Sequence, residues 1–523
     1  MRINHGNRKG DYMPQVVNKY GGNVVVIGGG ASGMAAAIRA KQQGAESVIL
    51  IEAADKLGGN AVFAPVPLLD RTQLTPEKIH DEYAAMMKRS NYTADPRMVS
   101  AFLEKTAELP DWFEGLGAAF QGGEQNGELA EFLAQKCKEL GVDIRLNCYA
   151  KKIIRDADDW ASGVFVHQNG EAYTINATVV VLATGGFLGE NDLMKKYCPY
   201  YDEVFFDEVA HGGNLYSGNG VQMALDLGAG DEGFVSFEWI DNKVPFYKGK
   251  LTPCLKAVLN DPTALVVNNV GIRFADEANY DSPNAYFRQP NKDIFRIYDE
   301  GTVEALAEKY PGIVTVEQFK EDIKPLIAAD QCLVADAKEP IAAWIRGKAH
   351  ILEGALSKYA IFAEEGNDQA FGKDPATMLP FGKKGPYYVF RSGLCLIQTH
   401  GPIKVNPMTS CVNRFDFPVS ALCACGAVIA GLYTDTFIGS RHTQSIRLAI
   451  ATGMLAGEHA ELFTRGGGPQ PKFAWPKFTA EQVMEGDYYN VGGPVGPPGG
   501  GGAVPGPGFG AKSREELLKD KSH

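Results

Sequence analysis

The sequence predicts an α/β fold: a parallel-sheet domain split by an inserted α+β segment and followed by a flexible tail. Three observations predict it. An apolar run, Asn23–Ile27, enters Gly28-x-Gly30-x-x-Gly33, continues into an Ala-rich helical stretch, and is followed by a second apolar strand ending in an acid, Ile49-Leu-Ile-Glu52. A further Val-rich run, Ala177–Ala183, ends in Thr184-Gly185-Gly186 and so returns to a glycine-rich turn. Between residues 232 and 395 the chain becomes rich in Phe, Trp, Tyr and Pro and loses its strand–helix–strand rhythm, which resumes near Thr399.

The first block reads as a Rossmann-like, dinucleotide-binding βαβ unit. Gly28 permits the tight turn, Gly30 lets main chain approach a pyrophosphate, and Gly33 lets helix and strand pack closely. The helix N-terminus adds unpaired N–H groups and a positive dipole end. Glu52 is placed to hold ribose hydroxyls. Leu57–Ala61 forms a small-residue loop, and a polar helical region spans roughly 75–115. An amphipathic helix over Glu128–Leu140 precedes a strand at Val142–Asn147 and an antiparallel pair near 150–175 that turns at Asn169-Gly170. Ser217–Gly220 opens a helix ending at Gly228. After the inserted segment come Ile403–Asn406, the buried run Ser420–Gly426, and a loop leading into a long helix over Ser440–Ala460. The expected domains are an extension at 1–22, a discontinuous nucleotide domain at 23–231 and 396–463, an inserted domain at 232–395, and a Gly/Pro-rich flexible tail at 464–523.

At 523 residues the chain is too long for one core. Its formal net charge of −12 leaves no basic footprint, so neither nucleic acid nor an anionic membrane is an expected partner. Nine cysteines without CxxC or metal-ligand spacing point to reduced thiols, with no metal, iron–sulfur cluster or attached haem. Electrons for any redox chemistry must therefore come from outside the chain. The polar N-terminus and the absence of a long apolar window predict a cytoplasmic protein with no membrane span.

Taken in order, five blocks resemble the flavoprotein superfamily of fumarate reductases, succinate dehydrogenase flavoproteins, urocanate reductases and 3-ketosteroid Δ1-dehydrogenases. They are Gly28–Glu52, Gly58-Gly59-Asn60, Ala183–Phe187, Gly271-Ile-Arg-Phe-Ala-Asp-Glu277, and Cys425-Gly426 before the last helix. The resemblance implies a discontinuous FAD-binding domain with a capping domain over the isoalloxazine. It also implies hydride transfer between flavin N5 and an activated carbon–carbon bond. Carried over by position, Gly28, Gly30, Ser32 and Gly33 lie along the pyrophosphate and Glu52 on the ribose, while Gly59, Asn60 and Ala61 line the flavin side. Ala150, Thr184 and Gly185 cover the adenosine end. Asn219 stands where the family usually has Asp, and Gly426 closes on the ribityl chain, with Ala427 replacing the usual Glu. Ser445 and Ile446 aim N–H groups at flavin N1 and O2. No histidine lies at residues 60–70 to carry the cofactor, so FAD is expected to be non-covalent.

The family pattern breaks at the substrate. Asp281 occupies the position of the proton-donating arginine, and Gln398 the position of a carboxylate-gripping histidine, with His400 two residues on. A dicarboxylate without its cations is costly to desolvate. The cap offers Phe234, Phe237, Trp239, Phe246, Tyr247, Tyr280, Tyr286 and Phe287 as a slot for a flat, largely neutral molecule. Candidates for the proton-moving or substrate-binding group are Tyr280, Tyr388, His400, Arg441 and His442. Arg273 reads as structural, joining cap to flavin domain, and Cys423 and Cys425 as packing. The expected activity is reduction of an α,β-unsaturated, enone-like substrate with an external donor: reduced flavin, a nicotinamide or a redox protein. A ketosteroid-type dehydrogenase and a flavin-containing electron-transfer or binding subunit are the alternatives.

Overall fold

The computed structural model describes residues 18–64, 71–118, 120, 127–198, 218–233, 235–244, 247, 249–278, 285–286, 288–379, 381–382, 385–433 and 443–464. All fall within one compact unit. Its strands are β1 (Asn18–Ile27), β2 (Val48–Ile51), β3 (Asp143–Arg145), β4 (Cys148–Arg155), β5 (Ala161–Gln168), β6 (Glu171–Leu182), β7 (Ser236–Lys243), β8 (Leu265–Asn268), β9 (Ile294–Asp299), β10 (Cys332–Ala335), β11 (Tyr387–His400), β12 (Ser410–Val412) and β13 (Pro418–Ala424).

The first sheet runs β12-β13-β6-β1-β2-β3, and its β13-β6-β1-β2-β3 core is parallel. Strands buried on both faces read as continuous apolar runs, as Val24–Ile27, Val48–Ile51 and Val179–Leu182 do. The antiparallel pairs β4–β5 and β5–β6 extend it, and β5 turns into β6 at Asn169 (φ 52°) and Gly170 (φ 82°), the left-handed pair that a tight two-residue hairpin needs. The second sheet, order β10-β11-β9-β8 with β7 also on β11, is antiparallel throughout. One of its faces packs Leu265, Val267, Phe295, Ile297 and Val389 against the helices Lys338–Trp344 and Ala349–Glu365.

One apolar core joins the two sheets: Phe237, Val266, Ile294 and Leu396 cluster with Val180, Leu182 and Phe187. A second core lies under the first helix, Ala31–Gln43, and the last, Thr443–Thr464. These two helices cross closely because Gly453 and Gly457 carry no Cβ; one added at either would fall 2.4 Å from a main-chain oxygen, of Ser32 or of Ala36. The expected polar helical region is three helices, Pro76–Arg89, Pro96–Ala107 and Leu109–Gly115. The first two open on a capping Thr75 or Asp95 followed by proline. No helix among the described residues is long and apolar enough to cross a membrane.

Candidate functional site

β1 delivers the chain to a crevice at the C-terminal ends of the parallel strands. Gly28 takes φ 107° and its N–H donates to the Ile51 carbonyl at 2.8 Å. A Cβ on Gly33 would lie 1.9 Å from the Gly28 oxygen, so this contact admits glycine alone. The first intrahelical bond runs from the Met34 N–H to the Gly30 carbonyl (2.9 Å), and no side chain caps the helix. The N–H groups of Ala31, Ser32 and Gly33 are therefore left for an anion. Gly30 differs from its neighbours. It is extended (φ −76°, ψ −176°), and a Cβ there would meet nothing nearer than the Gly58 oxygen at 4.0 Å. Packing does not require glycine at this position, whereas a closely approaching ligand does.

The remaining crevice residues gather around that turn. Glu52 accepts from the Gly29 N–H (2.6 Å) through one carboxylate oxygen and from the Ala54 N–H (2.8 Å) through the other. That fixes the carboxylate beside the turn, and each oxygen retains a lone pair for a ribose hydroxyl. The Cys148 N–H donates to the Glu52 carbonyl (2.9 Å), which ties down the start of β4 and with it buried Ala150. Asn219 donates to the Tyr149 hydroxyl at 2.5 Å, and a Cβ on the next residue, Gly220, would fall 1.8 Å from the Thr184 hydroxyl, so that helix packs onto Thr184-Gly185. A Cβ on Gly59 would come within 3.4 Å of the Gly30 Cα, and one on Gly426 would fall 2.5 Å from the Ser32 hydroxyl. Gly30, Gly59 and Gly426 thus line one connected crevice. Ser445 and Ile446 sit in the first turn of the last helix, about 12 Å before its Gly453 contact with Ser32. The open space at Gly30, the uncapped N–H groups and the seated carboxylate fit an extended dinucleotide.

The far wall comes from β11. Its pairing with β7 shifts register between Leu396 and Gln398, a bulge of the kind that re-aims side chains. Beyond it, the Asn60 amide donates to the Gln398 carbonyl oxygen (3.4 Å), the Phe187 N–H donates to the Thr399 hydroxyl (2.9 Å), and buried His400 meets Tyr433 edge to face at 5.1 Å. Tyr388 stands elsewhere. It is twelve residues up the same strand, roughly 40 Å away at full extension. Its hydroxyl donates to Glu300, its ring packs on Phe319, and burial, then that hydrogen bond, push its pKa up. The expectation that Tyr388 serves the site therefore gives way to a core role. Tyr280, Arg441 and His442 lie outside the described residues, as do Phe234, Phe246 and Phe287, and with them the side chain of Trp239. Phe237 and Tyr286 lie in the core joining the sheets, whereas Tyr247 packs in a separate cluster of the second sheet.

Arg273 is structural, and its ion-pair partners tie together residues of the second sheet's segment. It pairs with Glu277 (2.7 Å) and Asp368 (2.7 Å), all buried, with Lys373 3.3 Å from Glu277, and every member lies within residues 232–395. Burial alone would raise the Asp368 pKa, but hydrogen bonds from Arg273 and the Lys373 and Ala370 N–H groups hold it down to about 2. Burial pushes the Cys423 thiol up to about 12 and Cys425 up as well, which leaves both as unreactive packing groups. Thr399, Tyr149 and Tyr433 were not among the expected site residues; Thr399 is marked in sequence by its place after Gln398, where the strand–helix rhythm resumes, and nothing local marks the tyrosines. No group of three or more His, Cys, Asp or Glu among the described residues could hold a metal ion.

Comparison with known proteins decides which dinucleotide this crevice serves. The family described as FAD binding domain matches residues 23–437. The chain belongs to this FAD-binding family. FAD is its cofactor, the expected resemblance to fumarate reductases holds, and the likeness to ketosteroid dehydrogenases is one of fold. This flavoprotein is 26% identical to the vinyl phenol reductase of Lactiplantibacillus plantarum over 84% of its own length and 97% of that protein. It is likewise 26% identical to a probable fumarate reductase of Shewanella frigidimarina, over 84% of its length and 74% of that protein. Its fold matches a 3-ketosteroid Δ1-dehydrogenase of Sterolibacterium denitrificans at TM-score 0.68 with 19% identity, covering 85% of this chain and all of that one. The open form of a flavocytochrome c3 fumarate reductase matches at TM-score 0.60 with 22% identity, over 85% of this chain and 79% of that one.

Proposed function

We propose that this flavoprotein reduces the carbon–carbon double bond of a flat, largely neutral unsaturated substrate, using electrons from an external donor. In this reading residues 23–231 and 396–463 form the cofactor domain and 232–395 the cap, and FAD is held without a covalent bond. The observation that carries it is Gln398: at the place where β11 returns to the crevice, a neutral amide rather than a cation meets the flavin loop at Asn60. Gln398 itself offers a substrate carboxylate no counter-charge, and desolvating a carboxylate without one costs roughly several kcal/mol. Relatives named vinyl phenol reductase, urocanate reductase and NADH:acrylate oxidoreductase support reduction of unsaturated compounds as the reaction class.

When bound, FAD supplies the hydride. The chain's own part is to seat the pyrophosphate on the Ser32 and Gly33 N–H groups, hold the ribose with Glu52, and present the N–H groups of Ser445 and Ile446 to the flavin's electron-rich edge. It must also deliver a proton to the substrate carbon opposite the hydride. His400, whose buried ring closes the crevice end of β11, is our candidate among the described residues, alongside Tyr280, Arg441 and His442. Anaerobic rapid mixing of the reduced protein with enones and styrenes tests the proposal: reoxidation by neutral members at the rate of turnover supports it, and no reoxidation by any alkene removes it.

A further inference from the structure

We propose that Tyr149 contacts the adenosine half of FAD, its O–H free to donate to the cofactor because Asn219 donates to its oxygen. The inference rests on the cofactor placement in the reading above and is independent of which alkene is reduced. Contacts within the chain put Tyr149 at that end of the crevice. The Asn147 N–H donates to the Ala54 carbonyl and the Cys148 N–H to the Glu52 carbonyl, each at 2.9 Å, so the two residues before Tyr149 are tied to the turn around Glu52. From the other side, the helix that begins at Asn219 packs through Gly220 on Thr184, and the Thr184 Cα lies 3.2 Å from where a Cβ on Gly28 would be. The half-buried Tyr149 side chain therefore bridges the Glu52 turn and the Thr184 turn.

The phenol is held in two ways. The Asn219 amide donates to its oxygen at 2.5 Å. Lys151, which the β4–β5 ladder skips between Ala150 and Lys152, sets its ammonium 4.0 Å from the ring centroid. A phenol has one proton to give and oxygen lone pairs that accept. Because the amide supplies the donor, the Tyr149 proton is not consumed in this bond, and the hydroxyl has no other hydrogen-bond partner among the described residues. A carboxylate of the same size at position 219 would reverse the arrangement, since it only accepts and would draw the phenol proton to itself. Adenine ring nitrogens and ribose oxygens are acceptors of the kind this proton fits.

Dilution of the full-length holoprotein, read by the rise in flavin fluorescence, gives the FAD Kd and tests the assignment through a cycle of variants. Tyr149→Phe is expected to weaken FAD about three- to tenfold, the range for one hydrogen bond. In the Asn219→Asp background the same change is expected to cost less than about twofold, because the proton is already turned away from the cofactor. A bond that only braces the helix predicts the reverse: an equal or larger loss in the Asn219→Asp background, where the bond removed is to a charge. That result would overturn the proposal, as would an unchanged Kd in Tyr149→Phe, the phenol then meeting solvent alone. Competition of ADP and of FMN against FAD rebinding needs only Tyr149→Phe to fold. ADP should weaken by the same factor as FAD, and FMN, which has no adenosine, by less than about twofold. A loss confined to FMN would put Tyr149 at the flavin end and overturn the cofactor placement together with the proposal, whereas no loss for FAD, ADP or FMN overturns the Tyr149 contact alone.

Discussion

Gly30→Ala separates a glycine required by packing from one required by a ligand. At Gly33 the added methyl would sit 1.9 Å from the Gly28 oxygen, so Gly33→Ala must distort the turn whether or not cofactor is present. At Gly30 the main chain is already in a conformation that alanine adopts freely, and the nearest atom to a new methyl is 4.0 Å away. Restricting the unfolded chain at a compatible site stabilises by about 0.4–1 kcal/mol. FAD-free Gly30→Ala should therefore be as resistant to urea as the FAD-free parent, or slightly more so. With FAD the sign reverses, because the methyl occupies the space through which the pyrophosphate reaches the helix N-terminus. Overpacking a close contact costs about 1–3 kcal/mol, or roughly 5- to 150-fold in Kd. Fluorescence titration of deflavinated protein with FAD, paired with urea unfolding of the same samples, reads both numbers. FAD binding at parental affinity by Gly30→Ala would refute the placement of the pyrophosphate, and loss of FAD-free stability would refute the packing argument.

Other perturbations address the second sheet. Tyr388→Phe removes the hydroxyl bonded to Glu300, so thermal unfolding should show a loss of about 1–2 kcal/mol while kcat stays within twofold, roughly; a large fall in kcat would restore Tyr388 to the active site. Arg273→Leu strands buried Glu277 and Asp368 with Lys373 as the remaining cation, and should cost about 3–5 kcal/mol in urea unfolding. The pH dependence follows from Asp368, whose folded pKa of about 2 lies below the unfolded carboxyl range. Its contribution of about 2–3 kcal/mol is fully present above pH ~4 and is lost as pH falls towards 2. Unfolding free energies measured through that window should fall less steeply in Asp368→Asn than in the parent.

The cofactor half of the molecule was legible because its constraints are local. A tight turn, a close helix–strand contact and an acid at a strand end each demand particular residue types at fixed spacing, and Gly28, Gly33 and Glu52 meet those demands. The Gly453–Gly457 crossing follows the same logic, although its four-residue spacing was read only as part of a long helix. The second sheet was legible as an aromatic-rich composition, not as positions. Tyr388 and Arg273 look alike in sequence whether they face substrate or a core, since what decides is the partner, and Glu300 and Asp368 lie 88 and 95 residues away in the chain. Gln398 was visible as a departure from pattern, but its contact with Asn60 depends on a bulge that no local signal announces.

The most direct test of the account is a crystal structure of the protein reconstituted with FAD. The account predicts the pyrophosphate within hydrogen-bond reach of the Ser32 and Gly33 N–H groups, the ribose on Glu52, and the flavin ring beside Asn60. A pyrophosphate away from the Ser32 and Gly33 N–H groups, or a flavin ring placed away from Asn60, would contradict it.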